Sequence, residues 1–173
     1  MKTKSFTVEA PRILRVLVTP CKVCKGFDPS EGEKPELLVD FNAIWDTGAT
    51  SSVITPNVVE SLGLSPISAA MVNSVGGKSI SDVHLVGILL PNDVGFSDIQ
   101  TTVGTIGDGI DLLIGMDIIS RGDFAVTNKD GKTHFSFRFP SIEHIDFDRD
   151  SKTSSVRDKV RVNRKRKARS QRR

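Results

Sequence analysis

Short apolar runs, each closed by glycine, proline or a cluster of small polar residues, follow one another along most of this chain. Arg12 to Thr19 places apolar residues at Ile13, Leu14, Val16 and Val18 and predicts a strand that Pro20 ends. Lys25 to Pro35, with two glycines, two prolines and several charges, reads as a loop. Glu36 to Trp45 predicts the second strand of a hairpin, and Ser52 to Thr55 a further short one. Thr55-Pro56, then Val58, Val59 and Leu62 before Gly63, has the cap, first-turn proline and terminal glycine of a short helix.

Met71 to Pro91 reads as two strands around Val75-Gly76-Gly77-Lys78, a glycine-containing hairpin tip. Phe96 to Val103 predicts another strand, and Met116 to Ser120 a second short helix ended by Arg121-Gly122. Phe124 to Thr127 and Phe135 to Phe139 flank Asn128-Lys129-Asp130-Gly131-Lys132, whose Asp-Gly marks a hairpin. With many short strands and two helices, the fold class is mainly β. Beyond about Asp146 the residues turn charged and hydroxylated, too poor in large apolar groups to offset the entropy of ordering. The reading is therefore one domain over 1–146, with a loop at about 20–35, and a disordered basic tail over 147–173.

Charge sharpens this division. Residues 156–173 hold ten Lys or Arg against Asp158, a balance of +9, so of the chain's net +3 the first 155 residues carry −6. The tail suits weak, non-specific contact with a polyanion by counterion release, folding back on the acidic body, or plain solvation. It has no aromatic residue for stacking on bases. No apolar run reaches transmembrane length and Met1 to Thr7 lacks the apolar segment of a secretory signal, so a cytoplasmic location without membrane attachment is expected.

The chemistry lies in Ala43-Ile44-Trp45-Asp46-Thr47-Gly48-Ala49-Thr50, an apolar strand that delivers a carboxylate to a turn of small residues. A carboxylate there needs local hydrogen bonds. The Thr47 hydroxyl is one source, and Gly48 lets backbone N–H groups approach. Asp-Thr-Gly alone also reads as an ordinary turn. Its weight grows because Asp111-Leu112-Leu113-Ile114-Gly115-Met116-Asp117-Ile118-Ile119 repeats the plan of apolar strand, glycine and short helix.

Together, in this order, the two motifs resemble retroviral-type aspartic proteases, the retropepsins, over about Ile13 to Phe139. The resemblance implies a closed acid-protease β-barrel, one lobe per chain, acting on polypeptides without metal or organic cofactor. Peptide hydrolysis by this route needs two carboxylates sharing one proton about one water. One Asp-Thr-Gly per chain then implies a homodimer, with Asp46 of each chain meeting across a two-fold axis. By the same resemblance Thr47 would lock the two loops together and Gly48 would offer its carbonyl to substrate. Val75, Gly76 and Gly77 would form the tip of a substrate-holding flap, although Gly-Gly there also reads as a simple turn. Ile114 and Gly115 would pass beside the first motif. Asp111 and Asp117 lack the Asp-Thr-Gly setting and read as a loop residue and a helix-start residue.

Two departures from the viral pattern coincide. Thr50 and Met116 stand where viral enzymes usually carry an acidic residue and its arginine partner, so both halves of that ion pair are absent together. The Gly-Met-Asp that follows looks more like cellular and bacterial retropepsin-like proteins. Ala49 replaces a hydroxyl residue usual in the pepsin-like branch, which implies activity at less acidic pH than pepsin. Trp45 is larger than the aliphatic residue usual beside the motif.

Other signals are weaker. Cys21-Lys22-Val23-Cys24 reads as two reduced thiols in a turn, or as half of a zinc site shared by two chains. His84, His134 and His144 have no ligand spacing. The rival to an enzyme is a catalytically silent dimer that holds a peptide or partner on the same fold, with the tail as a tether.

Overall fold

The computed structural model describes residues 2–74, 77–149 and 151. They fall into two units, the first ending at Ile142 and the second beginning at Glu143. The expectation of a disordered tail falls mostly on 152–173, outside the described residues.

The first unit is mainly β. Its strands are β1 (Lys4–Ala10), β2 (Val18–Lys25), β3 (Val39–Trp45), β4 (Val53–Ile54), β5 (Ser68–Ser74), β6 (Gly77–Leu90), β7 (Val94–Val103), β8 (Leu112–Ile114), β9 (Asp123–Thr127) and β10 (Thr133–Phe139). Two short helices, α1 (Pro56–Leu62) and α2 (Met116–Ile119), match the expectation, and three 3-10 turns join them. One sheet runs β2-β3-β8-β4-β7-β6-β5, and a further pairing of β2 with β6 closes its first six strands into a barrel. Closure leaves those six without a free edge, and β5 remains outside as the arm of a hairpin. A second, three-stranded sheet has the order β1-β10-β9.

Strand β6 serves two structures in turn. Gly77 to Val83 pairs with β5, while Val83 to Leu90 pairs with β7 and, from Val86 to Leu89, also with β2. Its burial follows: the first four residues are exposed and the barrel half is largely buried.

The core follows the alternation of the strands. Phe41, Ala43 and Trp45 of β3 point inward, as do Leu112 and Ile114 of β8, and Ile54, Val86, Ile88 and Ile99 join them. Phe6, Phe124, Phe135 and Phe137 gather around Trp45, with ring centroids 5.0 Å from Trp45 to both Phe135 and Phe137. Each such ring contributes about 2 to 3 kcal/mol by leaving water. Trp45 thus faces the aromatic cluster, and its indole N–H donates to the Thr19 hydroxyl at 3.0 Å.

Three expectations need correction. The strand expected over 12–19 begins only at Val18 and continues through Pro20 to Lys25. Proline is tolerated there because β2 has β3 alone beside it until the pairing with β6 starts at Lys22. The cysteines consequently lie in a strand and not in a turn, as buried free thiols whose Sγ–H groups donate to the carbonyls of Phe41 and Gly87. Burial, with Asp111 and Asp40 adding to it, pushes the Cys21 thiol up to about 12, far from the thiolate that a zinc site requires. Finally, β1 was not anticipated: Phe6 and Val8 turn toward the core, and the strand pairs along its whole length with β10.

Candidate active site

Strands β3 and β8 run side by side and parallel, with Trp45 opposite Ile114. The residues that follow them, Asp46 and Gly115, therefore leave the barrel at the same end. The Asp46 N–H donates to the Ile114 carbonyl at 3.0 Å, fixing the first motif to the second. Beyond it the chain turns: the Gly48 N–H donates to Asp46 Oδ1 at 2.8 Å and the Ala49 N–H to the Asp46 carbonyl at 3.3 Å. A Cβ on Gly48 would stand 3.1 Å from that same Oδ1, so glycine permits the close approach. Thr47 and Gly48 are exposed, and Asp46 and Ala49 half-buried.

The return leg is held from the other motif. The N–H of Met116 donates to the Ala49 carbonyl at 2.8 Å and that of Asp117 to the Thr50 carbonyl at 3.1 Å. Thr50 and Met116 thus lie on two adjacent main-chain bonds that join the two motifs. Gly115 is obligatory at this crossing, because a Cβ there would lie 2.7 Å from the Ser51 carbonyl group and 3.0 Å from the Ala49 oxygen.

Asp117 has a role that the spacing did not reveal. Its carboxylate accepts from the Ser52 N–H at 3.0 Å, the Ser52 hydroxyl at 2.8 Å and the Ile118 N–H at 3.0 Å. The Ser52 oxygen in turn accepts from the Gly115 N–H at 3.1 Å. Ser52 is fully buried, so this chain of bonds ties the two motifs beneath the turn. A hydroxyl two places past Thr50 and an acid two past Gly115 were the only signs of it in the sequence. Asp111 is also engaged, accepting from the Asn57 side chain at 2.9 Å and weakly from the Asn42 N–H at 3.4 Å.

Asp46 differs. Among the described residues its carboxylate accepts the Gly48 N–H alone. No three His, Cys, Asp or Glu residues among those described cluster as a metal site. Of the expected flap tip, Val75 and Gly76 lie outside the described residues, whereas Gly77 opens β6 with a φ of +112°. The hairpin leading to it carries Met71 opposite Ile80, exposed to 66% and 77%. His84 is buried in β6 with Nδ1 unpartnered, His134 lies 3.7 Å from Glu9, and His144 is exposed.

Residues 34–118, which contain both motifs, match the sequence profile described as aspartyl protease. Over that stretch the chain is similar to the aspartyl protease family. Six of its strands close into a barrel. Among solved structures it is similar to a retropepsin-like aspartic protease from Rickettsia conorii, at 15% identity and a TM-score of 0.48, over 80% of this chain and 96% of that one. It is also similar to the simian foamy virus (mac) protease, at 13% identity and a TM-score of 0.41, over 60% of this chain and 92% of that one. No curated protein matches it in sequence. No helix among the described residues is long and apolar enough to cross a membrane.

Proposed function

We propose that the chain is an aspartic endopeptidase that works as a homodimer, with the Asp46 carboxylates of two copies sharing one proton about the attacking water. One observation carries this reading: within the chain Asp46 is the motif carboxylate left with spare acceptor capacity, while Asp111 and Asp117 spend theirs on structural bonds. One carboxylate takes a proton from the water as the other, protonated, polarises the scissile carbonyl. Thr47 and Gly48, exposed on the turn, are the residues that would face the second copy and the substrate.

Two surfaces support a partner and a peptide at this end. The segment before β2 exposes Ile13 to 58% and Val16 to 53%, and its Leu17 carbonyl accepts the Trp45 N–H, which holds it beside the catalytic turn. A second copy would take these apolar groups out of water. The hairpin of β5 and β6, with Met71 and Ile80 outward, is the arm that would close over substrate, its tip at Val75, Gly76 and Gly77. The main body extends over 1–146 in this reading, and the basic residues after it make weak polyanion contacts that rising salt would abolish. The two free thiols accord with a cytoplasmic setting.

The test is cleavage of a denatured-protein mixture by the purified chain across pH 3 to 8, beside Asp46→Asn, with mass read by light scattering. Activity that vanishes in the variant and rises with the dimer fraction is the expected result. A well-folded dimer without activity, with or without its tail, would instead mark a binding module.

A further inference from the structure

Away from the catalytic turn, the first unit holds a cavity of about 520 Å³, within the range of small-molecule sites. None of its lining residues belongs to the Asp46 turn or to the second motif. Its walls are apolar: Phe27 and Leu38 from the loop after β2, Ile88 and Leu89 from β6, Phe96 from β7 and Phe139 from the end of β10. Phe96 and Phe139 meet edge to face at 4.9 Å, and the Phe27 N–H donates to the Ser97 carbonyl at 3.1 Å, so strand and loop fix the shape.

The backbone here leaves little for a peptide to bind. Across Val86 to Leu89, β6 pairs with β2 throughout and with β7 at Val86, Ile88 and Leu89, so little of its backbone beyond the bulge at Gly87 is left to pair with a ligand. A peptide chain laid against it would bury its own N–H and C=O groups without partners. An alkyl chain carries no such cost. The lining is basic at one part: Lys2 and Lys4 both belong to it, together with Asp93. The Lys4 ammonium donates to the Asp93 main-chain carbonyl at 2.8 Å, which anchors it at the rim with further N–H groups to give.

We propose that this cavity binds an anionic amphiphile, a medium-length alkyl chain lying against Phe27, Leu38 and Phe96 with its carboxylate between Lys2 and Lys4. The site is independent of proteolysis, since it shares no residue with the catalytic turn.

The probe is dodecanoate, titrated calorimetrically below its micelle concentration into the full chain, with dodecylammonium as the charge control and an uncharged apolar peptide as the rival. One saturable site for dodecanoate, with dodecylammonium bound at least about tenfold more weakly, is expected. Leu38 is 37% exposed, so Leu38→Glu places a charge in the wall without disturbing the core, and is expected to weaken dodecanoate about tenfold or more. The double change Lys2→Gln and Lys4→Gln, both at exposed positions, should abolish the preference for the anion. Thermal melting of each variant confirms folding. Absence of saturable binding, equal binding to Leu38→Glu, indifference to headgroup charge, or the peptide binding in place of dodecanoate would each overturn the assignment.

Discussion

Asp46 and Asp117 follow two parallel neighbouring strands, within a few residues of the same crossing, and meet opposite fates. Asp117 accepts three hydrogen bonds, two of them from a serine with no exposure to water. Asp46 accepts one, from Gly48. A carboxylate engaged through both oxygens is a structural part, because any reaction would break the support beneath it. A carboxylate with acceptor capacity left, placed just as rigidly through its main chain, is available to chemistry. The difference lies less in the residue than in what the chain brings to it: Gly48 alone for Asp46, and Ser52 from 65 positions away together with Ile118 for Asp117.

The widest gap between the two is expected in activity. Asp46→Asn should lower peptide cleavage by about 1,000-fold or more while shifting the melting temperature by only a few degrees. Asp117→Asn should do the reverse in kind, unfolding the turn first, so that activity and thermal stability fall together. Equal melting losses for the two would erase the contrast. Gly115→Ala attacks the crossing itself: the new methyl meets Ser51 backbone at 2.7 Å, and a loss of about 3 kcal/mol in urea unfolding is expected. Ser52→Ala, which strips Asp117 of one donor and Gly115 of its acceptor, should cost about 2 kcal/mol by the same measurement.

A smaller effect sharpens the comparison with a third aspartate. The Ser141 hydroxyl, the Ile142 N–H and Arg138 hold Asp123 down at about 2. A carboxyl depressed in the folded state stabilises above its unfolded value and loses that contribution as pH falls through the folded one. Stability should therefore decline as pH drops from 3.8 toward about 2, and Asp123→Asn should flatten that slope in thermal melts.

Much of this was legible in the residues. The two motif strands, the helix from Pro56 to Leu62 ended at Gly63, and the Asp-Gly hairpin with Asp130 and Gly131 both at positive φ follow from local rules. What local rules misjudge is the side of the chain that finds company. Ile13 and Val16 are apolar and look like strand residues, yet they stay exposed, while Pro20 lies inside a strand because its neighbour on one side arrives only later. Strand β1 has a plain alternation in Phe6 and Val8, but its partner β10 lies about 130 residues on, and such a pairing leaves no local mark. For the same reason the Ser52–Asp117 bond, spanning 65 positions, was hidden, although both residues stand in the motifs.

The most direct test mixes wild-type chain with Asp46→Asn in varied ratio at fixed total concentration, lets the subunits exchange, and follows peptide cleavage. If each site takes one Asp46 from each of two copies, activity falls as the square of the wild-type fraction. A fall in simple proportion to that fraction would mean that one chain works alone, and would contradict the shared dyad.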